Sequence, residues 1–525
     1  MSKAYFMFIS PLQIVRQLGG WRRNAAQPPA ISAVDHGTRW GLRFASSPAT
    51  PRFSIERVAV VVGLIILLLS QPAFTQERVF KAGAVVMDIT PERFPVESAG
   101  SMGPRSVSAA HDPLNARCLV LDDGDTQIAI AVCDHCMIPR EIFDAARAEV
   151  EKVTGIPAAN ILCSATHTHS GVTVTPTFQS TVETDYCTLL TRRLAEGIIA
   201  AAKKREPAKI GWAVGNNPRQ VNNRRWFMQN EFALNDPFDS GKDRVRMNPP
   251  AGNASLLTPA GPVDPEVPVI SVVAADGRPI ALLANYSLHY VGGVDGLSAD
   301  YFGEFAQQIA RLLEVKPDSG FVGIMSNGTS GDINNINFFD GVIGKQPFEQ
   351  IRLVATDVAE SAASAHRRIR YQDWVRLKTA DAEVELGVRK PTPEEITRAK
   401  ALLAEAGKGP YSDVRHVYAL ETLHLAEYPD TVSARIQAIR IGDLGIVSSP
   451  CETFVETGLA IKKQSPLRPT FTIELANGYN GYLPTPEQHA LGGYETWRAK
   501  SSYLAIDAEP KVRAMQLRLL EQVAN

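Results

Sequence analysis

Short apolar runs rich in Val, Ile and Ala recur along the chain from Ala82 onward and alternate with stretches whose apolar residues return at helical spacing. The first pattern predicts strands and the second amphipathic helices; their alternation predicts an α/β fold of mixed β-sheets with flanking helices. AGAVVMDIT reads as a strand ending before Pro91, and ARCLVLDDGDTQIAIAVC as a hairpin turning at Asp123 and Gly124. REIFDAARAEVEKVTG reads as a helix closed by Gly155, because glycine most readily takes the left-handed backbone that follows a last helical turn. ANILCSATHTHSG follows as a strand running into a loop. The helix around YCTLLTRRLAEGIIAAAKK, the strand KIGWAVG, the stretch PVISVVAADGRPIALLANYSLH and the helix FGEFAQQIARLLE continue the alternation. ARIQAIRIGDLGIVSSP predicts two strands about a Gly-Asp turn, and AEPKVRAMQLRLLEQVAN a closing helix. Two stretches read as excursions: Arg225 to Pro265, rich in Asn, Pro and Gly, and Arg389 to Tyr428, polar and helical. Neither has the composition of a linker, so residues 77–525 read as a single large domain.

Ahead of it, RFSIERVAVVVGLIILLLSQPAFTQERVF sets Arg52 and Arg57 before an apolar run, Val58 to Leu69, with Ser70, Pro72 and Ala73 behind. This is the layout of a secretory signal and predicts a leader over residues 1–76, with export to the periplasm or medium. The uncharged stretch from Val58 to Gln76 is also just long enough for a short membrane span, which leaves a retained anchor as the alternative.

Composition narrows the picture without changing it. Among 525 residues, 45% are hydrophobic and 21% charged, which excludes a disordered or fibrous chain. A net charge of −2, with Lys and Arg spread along the sequence, provides no electrostatic footprint for nucleic acid. Six cysteines are too sparse for a disulfide framework. Cys133 and Cys136 form a C-x-x-C, but no second pair completes a zinc cage, so they read as small buried residues at the end of IAIAVC.

The candidate chemistry begins with CSATHTHSG. On extended backbone, His167 and His169 point to the same side, as a pair of metal-directed imidazoles or as loop histidines bonded to the backbone. His289, in LLANYSLHYVGG, stands at the end of another apolar strand, where α/β proteins place their active sites; a core histidine is the other reading. Glu452, in IVSSPCETF, follows a third such strand. SNGTSGDINNINFF could bring backbone N–H groups close to a ligand, or be an ordinary tight loop. It contains no G-x-S-x-G, although a serine hydrolase using Ser330, His289 and Asp332 remains an alternative.

Taken together and in order, these segments resemble the catalytic domain of the neutral (non-lysosomal) ceramidases, zinc amidohydrolases that cut the N-acyl bond of ceramide. GAVVMDIT, SMG, NARCLVLDDG with Arg117, SATHTHSG, NNPRQVNNR, YSLHYV, SPCETF and NGYNGYLPTPEQHALGGYE carry the resemblance, with Cys451 in place of the family's glycine. It implies one large catalytic domain in which zinc is held by His167, His289, Glu452 and Tyr482. It further implies that His169 and Arg224 act at the scissile carbonyl, with Asp332 and Asn334 in the same pocket. Asn334 stands where the family has a serine; its amide can donate a hydrogen bond but cannot serve as a hydroxyl nucleophile. The expected activity is hydrolysis of an N-acylated lipid or small amide by a zinc-activated water, with association at a membrane surface. A catalytically impaired lipid-binding relative is the non-enzymatic alternative. The stretch after the Tyr-rich segment is too short for the immunoglobulin-like domain of better-known members.

Overall fold

Strands β1 (Lys81–Asp88), β2 (Asn115–Asp122) and β3 (Gln127–Cys133) form an antiparallel meander in the computed structural model, which describes residues 78–229, 234–340 and 346–525. The apolar run Val58 to Leu69 lies outside the described residues. Helix α1 (Arg140–Thr154) ends at Gly155, whose φ of 76° is the left-handed cap expected from the sequence. It leads to β4 (Ile161–Ala165), which lies parallel to β3. The scheme then recurs. After α2 (Thr184–Lys203), strands β5 (Glu206–Asn216), β6 (Glu266–Ala274) and β7 (Pro279–Tyr286) run antiparallel to one another. Helix α3 (Asp300–Leu312) then returns the chain to β8 (Val322–Asn327), parallel to β7. The eight strands make one mixed sheet in the order β8-β7-β6-β5-β1-β2-β3-β4.

Beyond α4 (Glu349–His366), a second sheet is built from β9 (Leu377–Gly387), β10 (Thr431–Ile441), β11 (Leu444–Ser448) and β12 (Thr470–Ile473), in that order. The helical excursion between β9 and β10 comprises α5 (Pro393–Ala406) and α6 (Val414–Ala426); α7 (Val455–Gln464) and α8 (Ala508–Ala524) complete the chain. The other excursion carries a small three-stranded sheet, Arg225–Met228, Val245–Met247 and Leu256–Pro259.

The period of two explains the layering. On β2, Ala116, Cys118 and Val120 meet Phe143, Leu190 and Leu194 of α1 and α2, while Leu119 and Leu121 face Leu377, Ile439 and Ile446 of the second sheet. Strands buried on both faces need apolar residues at every position, hence the near-continuous runs. On the other half of the main sheet α3 and α4 cover β6 and β7, and α8 covers the outer face of the second sheet. The result is a four-layer arrangement of helices, sheet, sheet and helices. All six cysteines are free, and all but the half-buried Cys187 are buried. No helix among the described residues is long and apolar enough to cross a membrane.

One detail of topology places the site. Edge strands β4 and β8 run in opposite senses, but a sheet twists by roughly 20–25° per strand, about 150° over eight strands, which turns their C-terminal ends toward the same side. The segment Glu474–Asn477, leaving β12, joins them. Its Glu474 N–H donates to Asn327 at the end of β8 (3.1 Å), Ala165 N–H of β4 donates to Leu475 (3.1 Å), and Asn477 N–H donates to Cys163 (2.8 Å).

Candidate metal centre

His167 follows β4 and His289 follows β7, so the closure just described brings them together. His167 sits in the left-handed region at φ 77°, an uncommon backbone for a residue with a Cβ. Its Nδ1 lies 2.9 Å from the Cys136 carbonyl oxygen, that of His289 lies 3.0 Å from Ser330 O, and that of His169 lies 3.1 Å from Gly100 O. A carbonyl only accepts, so each Nδ1 carries a hydrogen and each Nε2 offers a lone pair. Those of His167 and His289 converge on one carboxylate, and that of His169 lies beside His167. His167 Nε2 is 2.9 Å from His289 Nε2 and 3.3 Å from His169 Nε2, and the Glu452 carboxylate Oε2 lies 3.2 Å from His167 Nε2 and 3.7 Å from His289 Nε2.

Lone pairs at such distances repel unless a cation lies among them. Glu452 Oε2 is buried without a hydrogen bond, whereas Oε1 accepts one from the Tyr479 hydroxyl at 2.9 Å. Burial opposes charge on His167, yet the neighbouring Glu452 outweighs it and holds the His167 pKa well above the ordinary value. Burial likewise opposes charge on Glu452, and His167 and the Tyr482 hydroxyl hold its pKa down. His289 and His169 are pushed well below the usual imidazole value, by burial foremost and then by Arg224 and His167. The cluster thus calls for positive charge at its centre and supplies imidazole nitrogen and carboxylate oxygen to bind it, the donor chemistry that suits zinc.

Around this core, Arg224 donates to the Tyr482 hydroxyl (3.1 Å), to Gly331 O (2.8 Å) and to Glu495 (2.8 Å). The other Glu495 oxygen binds Arg225 at 2.7 Å, so one buried carboxylate neutralises two buried guanidinium groups. A cavity opens against His167, His169, Glu452, Tyr479, Tyr482 and Tyr494 on its polar side and Met102, Met137 and Phe178 on its apolar side. His289 does not line this cavity, and the His169 ring is stacked on Tyr290 with centroids 3.7 Å apart.

Five of the eight residues implied by the resemblance come together as expected: His167, His169, His289, Glu452 and Tyr482. Arg224 does not line the cavity; it reaches the site through Tyr482. Asp332 and Asn334 are elsewhere. The Asp332 carboxylate accepts from Asn223 (2.7 Å) and Val455 N–H (2.9 Å), and Asn334 bonds Asn248 (2.6 Å) and Ile336 N–H (2.9 Å). Both side chains are spent on loop structure. The alternative serine triad also fails geometrically. Ser330 is fully buried and its hydroxyl donates to Glu474 (2.6 Å), while His289 Nδ1, 3.5 Å from that hydroxyl, lies closer to the Ser330 carbonyl oxygen (3.0 Å), and Asp332 bonds neither. Tyr479, Glu474 and the Gly100 carbonyl are site residues to which sequence reasoning assigns no role; each acts through a contact between distant segments, for which no local pattern exists.

The sequence matches no known family model and no curated protein. Solved structures that share the fold include two ceramidases. Neutral ceramidase from Pseudomonas aeruginosa superposes with a TM-score of 0.62 over 85% of this chain and 75% of that one, at 18% identity. A ceramidase complexed with C2 gives a TM-score of 0.62 with the same coverage, at 16% identity.

Proposed function

We propose that this protein, built on the fold of neutral ceramidase, is a zinc-dependent amidohydrolase that cleaves the N-acyl bond of a ceramide-like lipid or smaller amide. The observation that carries the reading is the convergence of the His167 and His289 Nε2 lone pairs on a buried oxygen of Glu452 that has no hydrogen bond of its own. His167, His289, Glu452 and the Tyr482 hydroxyl would hold the metal. Zinc bound there would supply Lewis acidity, polarising an acyl carbonyl and lowering the pKa of water to about 7.

The chain's own groups do the rest. The apolar wall of Met102, Met137 and Phe178 accepts the acyl portion and sets the amide against the polar side. His169 cannot donate from Nε2 while neutral, because its hydrogen is committed to Gly100. It therefore first accepts the proton of the attacking water and donates as an imidazolium afterwards. The proton then passes to the departing nitrogen. Water thereby adds to the carbonyl carbon, the C–N bond breaks, and a carboxylic acid and an amine leave. Arg224 holds the Tyr482 phenol in place and the paired Glu495 holds Arg224. Export directed by Val58 to Leu69 and work at a membrane surface belong to the same proposal; the mature N-terminus of the exported protein and vesicle co-sedimentation test them.

The central test is zinc content, followed by turnover on N-acyl sphingoid bases, N-acyl amino acids and simple esters, for wild type, His167→Ala and His289→Ala. Loss of both metal and turnover in the variants supports the reading. Full occupancy in both variants, or turnover independent of His167, overturns it. Zinc bound with no turnover on any N-acyl substrate identifies the lipid-binding alternative.

A further inference from the structure

Glu474 lies at the start of the segment that joins the two edges of the main sheet, and it is fully buried. Its carboxylate touches none of the converging imidazoles, yet four donors converge on it. Oε1 accepts from the Ser330 hydroxyl (2.6 Å) and the Asn327 amide (3.0 Å), and Oε2 accepts from the backbone N–H of Thr453 (2.8 Å) and of Ser330 (3.2 Å). Its own N–H donates to Asn327 O at 3.1 Å. All its lone-pair positions are used, the condition under which a buried carboxylate is tolerated.

The two N–H donors belong to two different segments of the site. Ser330 presents the carbonyl that orients His289, at 3.0 Å, and Thr453 is the residue after Glu452. These segments are pressed together: Gly331 N–H donates to Thr453 O at 2.9 Å, and a Cβ on Gly331 would stand 2.6 Å from Glu452 O. The Asp332 carboxylate also ties these segments through Val455 N–H (2.9 Å), but Glu474 reaches both from a third segment and bonds Ser330, the His289 contact, and Thr453, directly attached to Glu452. We propose that Glu474 is a positioning residue of the metal centre, one carboxylate that sets His289 and Glu452 relative to each other. This inference rests on the zinc reading above. A supporting group of this kind fixes ligand orientation, and its loss typically weakens metal binding 10–100-fold.

The test compares wild type with Glu474→Gln. Glutamine keeps the shape but turns one face of the carboxylate into a donor that opposes the donors already there. Zinc affinity is measured by chelator competition on folded protein, and the visible spectrum of the cobalt(II)-substituted protein reports ligand geometry. Glu509→Gln serves as control: Glu509 is a buried carboxylate on α8, bonded to Thr457 (2.8 Å) and Arg513 (2.8 Å) and to none of the converging ligands. The expected result is a 10–100-fold weaker zinc affinity and an altered cobalt spectrum in Glu474→Gln, with both unchanged in Glu509→Gln at comparable loss of thermal stability. Should Glu474→Gln fail to fold, Ser330→Ala removes one of the four donors and is expected to weaken zinc severalfold. Wild-type affinity and spectrum in whichever variant folds overturn the proposal while leaving the zinc reading standing. Absence of zinc binding by wild type overturns both.

Discussion

Replacing Gly100 with alanine isolates the contribution of His169 without touching its side chain. Gly100 has φ 89°, and a Cβ there would stand 2.5 Å from Cγ and Nδ1 of the His169 ring, where ordinary contact begins at 3.4 Å. The ring must retreat by close to an ångström, or the Gly100 loop must move and withdraw the carbonyl that holds Nδ1 at 3.1 Å. The left-handed backbone alone costs an alanine about 1–2 kcal/mol. The strained or lost hydrogen bond adds about 0.5–1.5 kcal/mol, for a destabilisation of ~2–3 kcal/mol. For the reaction, a displacement of about 1 Å in a proton-transferring group is worth roughly a hundredfold, or ~2.7 kcal/mol in the barrier. The assay is kcat and KM on an N-acyl sphingoid base, with zinc content measured on the same samples. The expected outcome is a hundredfold fall carried by kcat, with zinc retained through His167, His289 and Glu452. An unchanged kcat/KM refutes the role of His169 and the argument from Gly100. Loss of zinc along with activity shows instead that His169 is itself a ligand.

Three further outcomes follow from the geometry. Tyr482→Phe removes the hydroxyl that accepts from Arg224 at 3.1 Å while keeping the ring; turnover should fall at least tenfold with the melting temperature little changed, as kinetics and calorimetry can check. Glu495→Gln leaves Arg224 and Arg225 buried without their shared counter-charge, and denaturant titration should show a loss of about 3–5 kcal/mol; less than 1 kcal/mol contradicts the pairing. Burial lowers the His135 pKa from 6.5 to about 3, so the unfolded chain binds the proton first. The stability this neutral histidine contributes is complete above pH 6.5 and is lost toward about 3, by up to about 1.4 kcal/mol per pH unit. Urea titrations of wild type and His135→Asn at several pH values should differ by that slope, and parallel curves defeat it.

Much of the main sheet could be read from the chain because both its faces are buried: the runs around Val120, Ile130 and Leu283 have no polar side to confuse the pattern. Strand β9 could not. LKTADAEVELG is an edge strand with exposed charges, and its apolar residues count as a strand only once β10 lies beside them. Helix α4 is alanine-rich, with an apolar face too small to stand out. At the site, His167, His289 and Glu452 could be singled out because each ends or follows an apolar strand. Asp332 could not be judged that way. Its place in a polar, glycine-containing loop suits a pocket wall and a loop brace equally, and only the positions of Asn223 and Val455 decide for the brace.

The tie formed by Glu474–Asn477 bears on the order of folding events. His167 and His289 are 122 residues apart, and the groups that meet at the centre come from both edges of the main sheet and from the second sheet. Closing such loops is entropically expensive until most of the surrounding structure exists, so no early, partly folded species presents the complete donor set. A metal held at this centre would accordingly be captured after the rate-limiting step. It should leave the refolding rate unchanged and slow unfolding, so that loading with metal acts as a latch on a finished molecule rather than as a nucleus for building it.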